Sequence, residues 1–99
     1  MELVFADRTY DRLEVDGAYT LGFPADVVAL YRSRLQLLRA ARDDRDLTAM
    51  RCLHFRLLPP RSPRRHSIRL NDQYCLLVEL QKRAGDTTAR LVVVRIEPI

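Results

Sequence analysis

Residues 66–80, HSIRLNDQYCLLVEL, constrain the fold of this chain more than any other stretch. His66, Ile68 and Leu70 alternate with Ser67 and Arg69; after a break, Tyr74, Leu76, Val78 and Leu80 alternate in the same way. A period of two puts each set on one face of a strand. Between the runs lie Asn71 and Asp72, residues that tolerate positive φ and suit a tight turn. The segment therefore reads as a hairpin with one apolar face.

The flanking sequence extends the sheet. Leu53, Phe55 and Leu57 alternate with His54, Arg56 and Leu58, which predicts a strand with His54 and Arg56 together on the face away from the apolar trio. PPRSPRR, residues 59–65, has three prolines in five residues and cannot continue a ladder, so it is a loop. Lys82 to Thr88, with Gly85, forms a second turn. Ala89 to Ile96 is β-branched and almost wholly apolar, the pattern of a strand buried on both faces.

The first half of the chain reads differently. Glu2–Phe5 suits a strand, and Ala6-Asp7 opens a turn and helix. Gly17 and Gly22 bracket a loop, and Pro24 suits the first turn of a helix, where its missing N–H costs nothing. Val27, Leu30, Tyr31, Leu35, Leu38 and Ala41 then fall on one helical face. DDRD at 43–46 is a polar break before a short helical piece ending near Met50. A strand and helices followed by a meander predict an α+β domain: an N-terminal strand and two helices packed on one face of a small, mainly antiparallel sheet.

Ninety-nine residues, 47% hydrophobic and 30% charged, make one globular domain over 1–99. No apolar run approaches the ~20 residues of a membrane span, and the start lacks a basic segment leading into an apolar one. The expectation is a cytoplasmic protein with no membrane partner. Cys52 and Cys75 form no C-x-x-C pair and have no ligand-like spacing with His54 or His66. They read as reduced thiols in core or strand, and no metal site is expected.

Charge is unevenly placed. The net charge is +4, yet residues 51–69 hold six arginines, both histidines and no acid, and the remaining eleven basic and thirteen acidic residues balance to −2. Concentrated positive charge is the footprint of a nucleic-acid contact, and a solvated arginine-rich surface is the plain alternative. Sixteen arginines against the single Lys82 fit the second, but arginine itself favours the first, because its planar guanidinium pairs bidentately with phosphate. Arg56, Arg61, Arg64, Arg65 and Arg69 are the candidate nucleic-acid-binding residues. Arg69 has a structural role open to it as well, in an ion pair with Asp72 or Glu79. Tyr74 reads as core, and Asn71 and Asp72 as turn residues.

Ser67-Ile68-Arg69-Leu70-Asn71-Asp72-Gln73-Tyr74 resembles a run characteristic of the HigB branch of the RelE/ParE toxin superfamily, the plasmid-maintenance killer proteins. The order of features around it extends the likeness over most of the chain. The resemblance implies a RelE-like fold and a growth-inhibiting toxin of a type II toxin–antitoxin pair. It also implies an endoribonuclease that cuts ribosome-bound messenger RNA without metal or organic cofactor, and a cognate HigA-like helix-turn-helix antitoxin as partner. The chemistry is attack of a ribose 2′-hydroxyl on the adjacent phosphate, with side chains moving protons and stabilising charge.

Three positions depart from that pattern. Cys75 stands where the family has an arginine facing the scissile phosphate, Pro59 where a loop lysine is common, and Ile99 where the chain often ends in a histidine or tyrosine. Each missing acid–base group typically costs 10²–10⁴ in rate, by order of magnitude. His54 or His66 is then the candidate replacement base, since a free imidazole titrates near 6.5; a surface or packing role is the commoner one for a lone histidine and is open to each. The alternative function is a catalytically degenerate toxin-fold protein that binds its antitoxin, the ribosome or, ParE-like, DNA gyrase, without cleaving RNA.

Overall fold

The computed structural model describes residues 1–59, 64–82 and 89–99. Among them β1 (Glu2–Phe5) leads into three helices, α1 (Arg8–Val15), α2 (Ala25–Ala40) and α3 (Asp44–Ala49). A 3₁₀ turn (Arg51–Leu53) follows, then β2 (Arg56–Leu57), β3 (Arg65–Arg69), β4 (Tyr74–Lys82) and β5 (Ala89–Pro98). The strands form one mixed sheet in the order β1-β5-β4-β3-β2, with β1 parallel to β5 and every other neighbour antiparallel. The α+β expectation holds, with a third helix added.

That third helix comes from the acidic run read as a break. Asp43 is its N-cap, its side chain accepting the N–H groups of Arg45 at 3.0 Å and Asp46 at 3.2 Å, so the acids start α3. α2 begins one residue after Pro24, with no side-chain cap, and buries Val27, Tyr31, Leu35 and Leu38 as the periodicity predicts; Val28 is buried as well, and Leu30 is only half-buried. Its far end is tied twice. The Met1 amino group donates to the carbonyls of Arg39 and Ala41 at 2.8 and 2.6 Å, and Arg39 forms a two-pronged ion pair with Glu14 of α1.

Strand registers sort the side chains into two faces, because directly paired residues lie on the same side of a sheet. His66, Val78 and Val93 form one row, Ile68, Leu76 and Ile96 the next, and Leu80, Leu91 and Leu3 a third. These residues, except the half-buried Leu3, are buried with Leu13, Tyr31, Leu35 and Leu38 in the core between sheet and helices. The core therefore uses one sheet face only. β5 accordingly alternates, with Ala89, Leu91, Val93 and Ile96 buried and Arg90 and Arg95 exposed. This corrects the expectation of a strand buried on both faces: helices cover one side, and Val92 and Val94 stay half-exposed on the strand despite their apolar character.

Two further expectations are corrected. The segment 53–58 is no continuous strand: Leu53 ends the 3₁₀ turn, His54 has left-handed backbone at φ 46° and ψ 49°, and pairing is limited to Arg56 and Leu57. His54 and Arg56 thus do not share a strand face. The β3–β4 turn also needs no positive φ at Asn71 or Asp72. The Asn71 side-chain oxygen instead accepts the N–H groups of Gln73 and Tyr74, both at 2.9 Å, which closes the turn by side-chain capping. The proposed second turn lies mostly outside the described residues. No helix among them is long and apolar enough to cross a membrane.

Candidate functional site

The face of the sheet away from the helices carries a different set of residues. Its rows are Arg56, Ser67, Leu77 and Arg95; Arg65, Glu79, Val92 and Val4; Arg69, Cys75 and Glu97; and Gln81, Arg90 and Glu2. Leu77 is buried yet stands apart from the core cluster, so an apolar residue is sealed on this outer face. Long neighbours can do this with their aliphatic stems while keeping their charged ends in water.

Charge on this face is graded across the sheet. On the β5 side the cations are matched: Arg95 Nε lies 3.1 Å from Glu97 Oε2, and Arg90 Nε donates to Gln81 Oε1 at 2.8 Å, whose amide donates to Glu79 at 3.2 Å. On the β2–β3 side Arg56, Arg65 and Arg69 surround Ser67, and none has an ion pair among the described residues. Arg65 is half-buried, and its Nε has no hydrogen-bond partner among the described residues although Glu79 is its cross-strand neighbour. A buried N–H without an acceptor is uncommon, and an anion at this face would satisfy it.

The other predicted RNA-binding residues separate from this group. Arg64 is exposed at the entry to β3 and lies on the helix side, close enough to Asp44 to favour its carboxylate. Arg61 lies outside the described residues. Arg69 forms no pair with Asp72 or Glu79 there; its carbonyl accepts from Arg34 Nε at 3.2 Å.

The two histidines diverge. His66 belongs to the helix face, is only 6% exposed, and its ring stacks on Phe55 with centroids 4.1 Å apart and planes at 4°. Its Nδ1 has no partner among the described residues, and burial, with Arg64 nearby, holds its pKa below the usual imidazole value against the weaker pull of Asp44. It cannot meet RNA lying on the arginine face. The alternation that places Ile68 in the core places His66 there too, so this outcome was readable from the pattern. His54 is exposed and lines a shallow groove of about 450 Å³ at the outer edge of β2, with Thr48, Met50, Arg51, Phe55, Arg56 and Leu57. Arg56 belongs to both groove and open face. No residue pattern signals this groove, because it forms where a 3₁₀ turn replaces the expected strand.

Cys75, Ile99, Pro59 and Cys52 also find their places. Cys75 sits between Arg69 and Glu97 on the open face, and its thiol pKa is raised by burial and by Glu97, which keeps it neutral. Ile99 is exposed beyond β5, its N–H donating to the Gln73 carbonyl at 2.9 Å. Pro59 ends the described segment after β2. Cys52 is exposed on the 3₁₀ turn, not buried as expected. No group of three or more metal-ligating side chains occurs among the described residues.

No protein-family model, curated protein or solved structure matches this chain significantly. The functional reading therefore rests on the geometry and on the hairpin motif.

Proposed function

We propose that this chain is a toxin of the HigB type, with a RelE-like fold, that holds the phosphate backbone of ribosome-bound messenger RNA on the open face of its sheet. The observation that carries the reading is the cluster of Arg56, Arg65 and Arg69 around Ser67, free of ion pairs among the described residues. Three guanidinium groups on one side of a pleated surface match a polyanion better than a set of separate acidic partners would. The run Ser67 to Tyr74 supports the toxin–antitoxin setting, in which a HigA-like helix-turn-helix antitoxin is the cognate partner and the free chain inhibits growth in the cytoplasm.

Binding without cleavage is the form the geometry favours. The open face offers arginines, a neutral thiol at Cys75 and carboxylates engaged at Glu79 and Glu97, and His66 is turned into the core. A cleaving enzyme needs a group to take the proton of the 2′-hydroxyl. The second reading, a metal-independent endoribonuclease, rests on His54, exposed beside Arg51 and Arg56.

Ribosome pelleting and cleavage of a translated messenger in a reconstituted system separate the two, with gyrase supercoiling as a parallel assay. Binding that falls with salt and leaves the messenger intact supports the favoured form. Cleavage abolished by His54→Gln would establish the second. Absence of ribosome and RNA binding, with gyrase inhibited, would overturn both.

A further inference from the structure

The groove beside β2 is not explained by phosphate binding on the open face. It combines three kinds of wall: Met50, Phe55 and Leu57 are apolar or aromatic, Arg51 and Arg56 are cationic, and His54 and Thr48 add an imidazole and a hydroxyl. No acid lines it. The groove is shallow and open, so it can receive one face of a ligand rather than enclose one. Polyanion binding needs charge alone. An aromatic and apolar wall inside a cationic rim fits a ligand with both a planar apolar part and a negative part.

Two further observations make the groove a built feature. His54 caps the 3₁₀ turn in left-handed backbone at φ 46°, so the chain turns there from Arg51 into Phe55 and Arg56, residues of two walls of the groove. Phe55 is fixed from behind by its stacking on the buried His66, so the aromatic wall is set before any ligand arrives. Arg56 then joins the groove to the arginine cluster around Ser67, and a strand crossing that face can turn into the groove without leaving positive charge.

We propose that the groove takes one flipped-out nucleotide of an unpaired RNA strand, its base against Phe55, Met50 and Leu57 and its phosphate between Arg51 and Arg56. Unpaired bases are commonly received on aromatic side chains in this way. His66 is a positioning residue here, acting through Phe55. The inference rests on the RNA-binding reading above and adds the base site to it.

The test compares a short unstructured RNA with inorganic polyphosphate, which has the charge but no bases. Phe55→Leu keeps an apolar wall and removes the ring. It is expected to weaken RNA binding at least about fivefold and leave polyphosphate binding unchanged. Equal effects on both, or none on either, overturn the base site and leave the arginine-face reading standing. Wild-type protein that binds no RNA removes that reading and the base site with it. Independently of any variant, adenosine 5′-monophosphate should shift the NMR signals of the Met50 methyl and Thr48 more than inorganic phosphate or an acidic peptide does. Shifts no larger than those from phosphate, or larger ones from the peptide, overturn the proposal. His66→Phe, which can retain a stack, should preserve RNA affinity, and His66→Ala should lower it toward the Phe55→Leu value; loss with both variants overturns the positioning role.

Discussion

The ring of His66 lies flat against the ring of Phe55, 4.1 Å between centroids and 4° from parallel, in a setting that leaves the imidazole 6% exposed. This contact joins β3 to the segment that carries His54 and Arg56. It also ties a titratable group to packing, with consequences for stability.

Because burial lowers the His66 pKa in the folded chain, the unfolded chain takes up the proton first as pH falls. The contribution is fully present above the unfolded value of about 6.5 and is lost as pH falls through the lower folded value. Urea midpoints should therefore drop between pH 7.5 and pH 5, and His66→Phe should flatten that part of the profile. An unchanged slope in the variant would assign the loss to other groups.

Tyr10 joins α1 to β5 beyond the point where β1 ends. Its hydroxyl accepts the Ile96 N–H at 3.0 Å, and its carbonyl accepts the Tyr31 hydroxyl at 2.8 Å, both buried. Tyr10→Phe leaves the Ile96 N–H without an acceptor and should cost about 1–3 kcal/mol in chemical denaturation. A loss below about 0.5 kcal/mol would mean that water reaches that N–H.

His54→Gly should separate stability from binding. Glycine relieves the left-handed backbone, at an added cost in unfolded-state entropy, so stability should hold or rise by up to about 1 kcal/mol. RNA affinity should fall in the same protein. Lower stability would show that the exposed imidazole makes a compensating contact.

Arg65 and Arg69 are read through salt. Replacing either with Ala should weaken RNA binding alike for all sequences and reduce the slope of log affinity against log salt by about one. Arg12, paired with Asp16 on α1, is the control and should leave the slope unchanged.

Cys75→Arg adds a guanidinium in the row of Arg69 and Glu97. It should steepen the salt slope by up to about one. If messenger cleavage appears only in this variant, the wild-type chain is a binder that lacks a cation facing the scissile phosphate.

Much of the architecture is legible in the sequence because it depends on local periodicity. Alternation at 66–70 and 74–80 defines the hairpin and its core face, and the spacing from Val27 to Leu38 defines α2. The arginine cluster is legible as composition. Its membership is only partly so: Arg65 shares a face with Arg69 through the alternation of β3, and Arg64, one residue away, falls on the helix side, but Arg56 joins them only because β2 and β3 pair in the register Arg56 to Ser67. Tertiary structure likewise decided that β5 is covered on one face, since its apolar run says nothing of how many helices are there to cover it. The groove depends on a single left-handed residue, His54, which ends the 3₁₀ turn and breaks a run that alternates like a strand. Local pattern reports which residues seek burial; which charges become neighbours depends on pairing between segments distant along the chain.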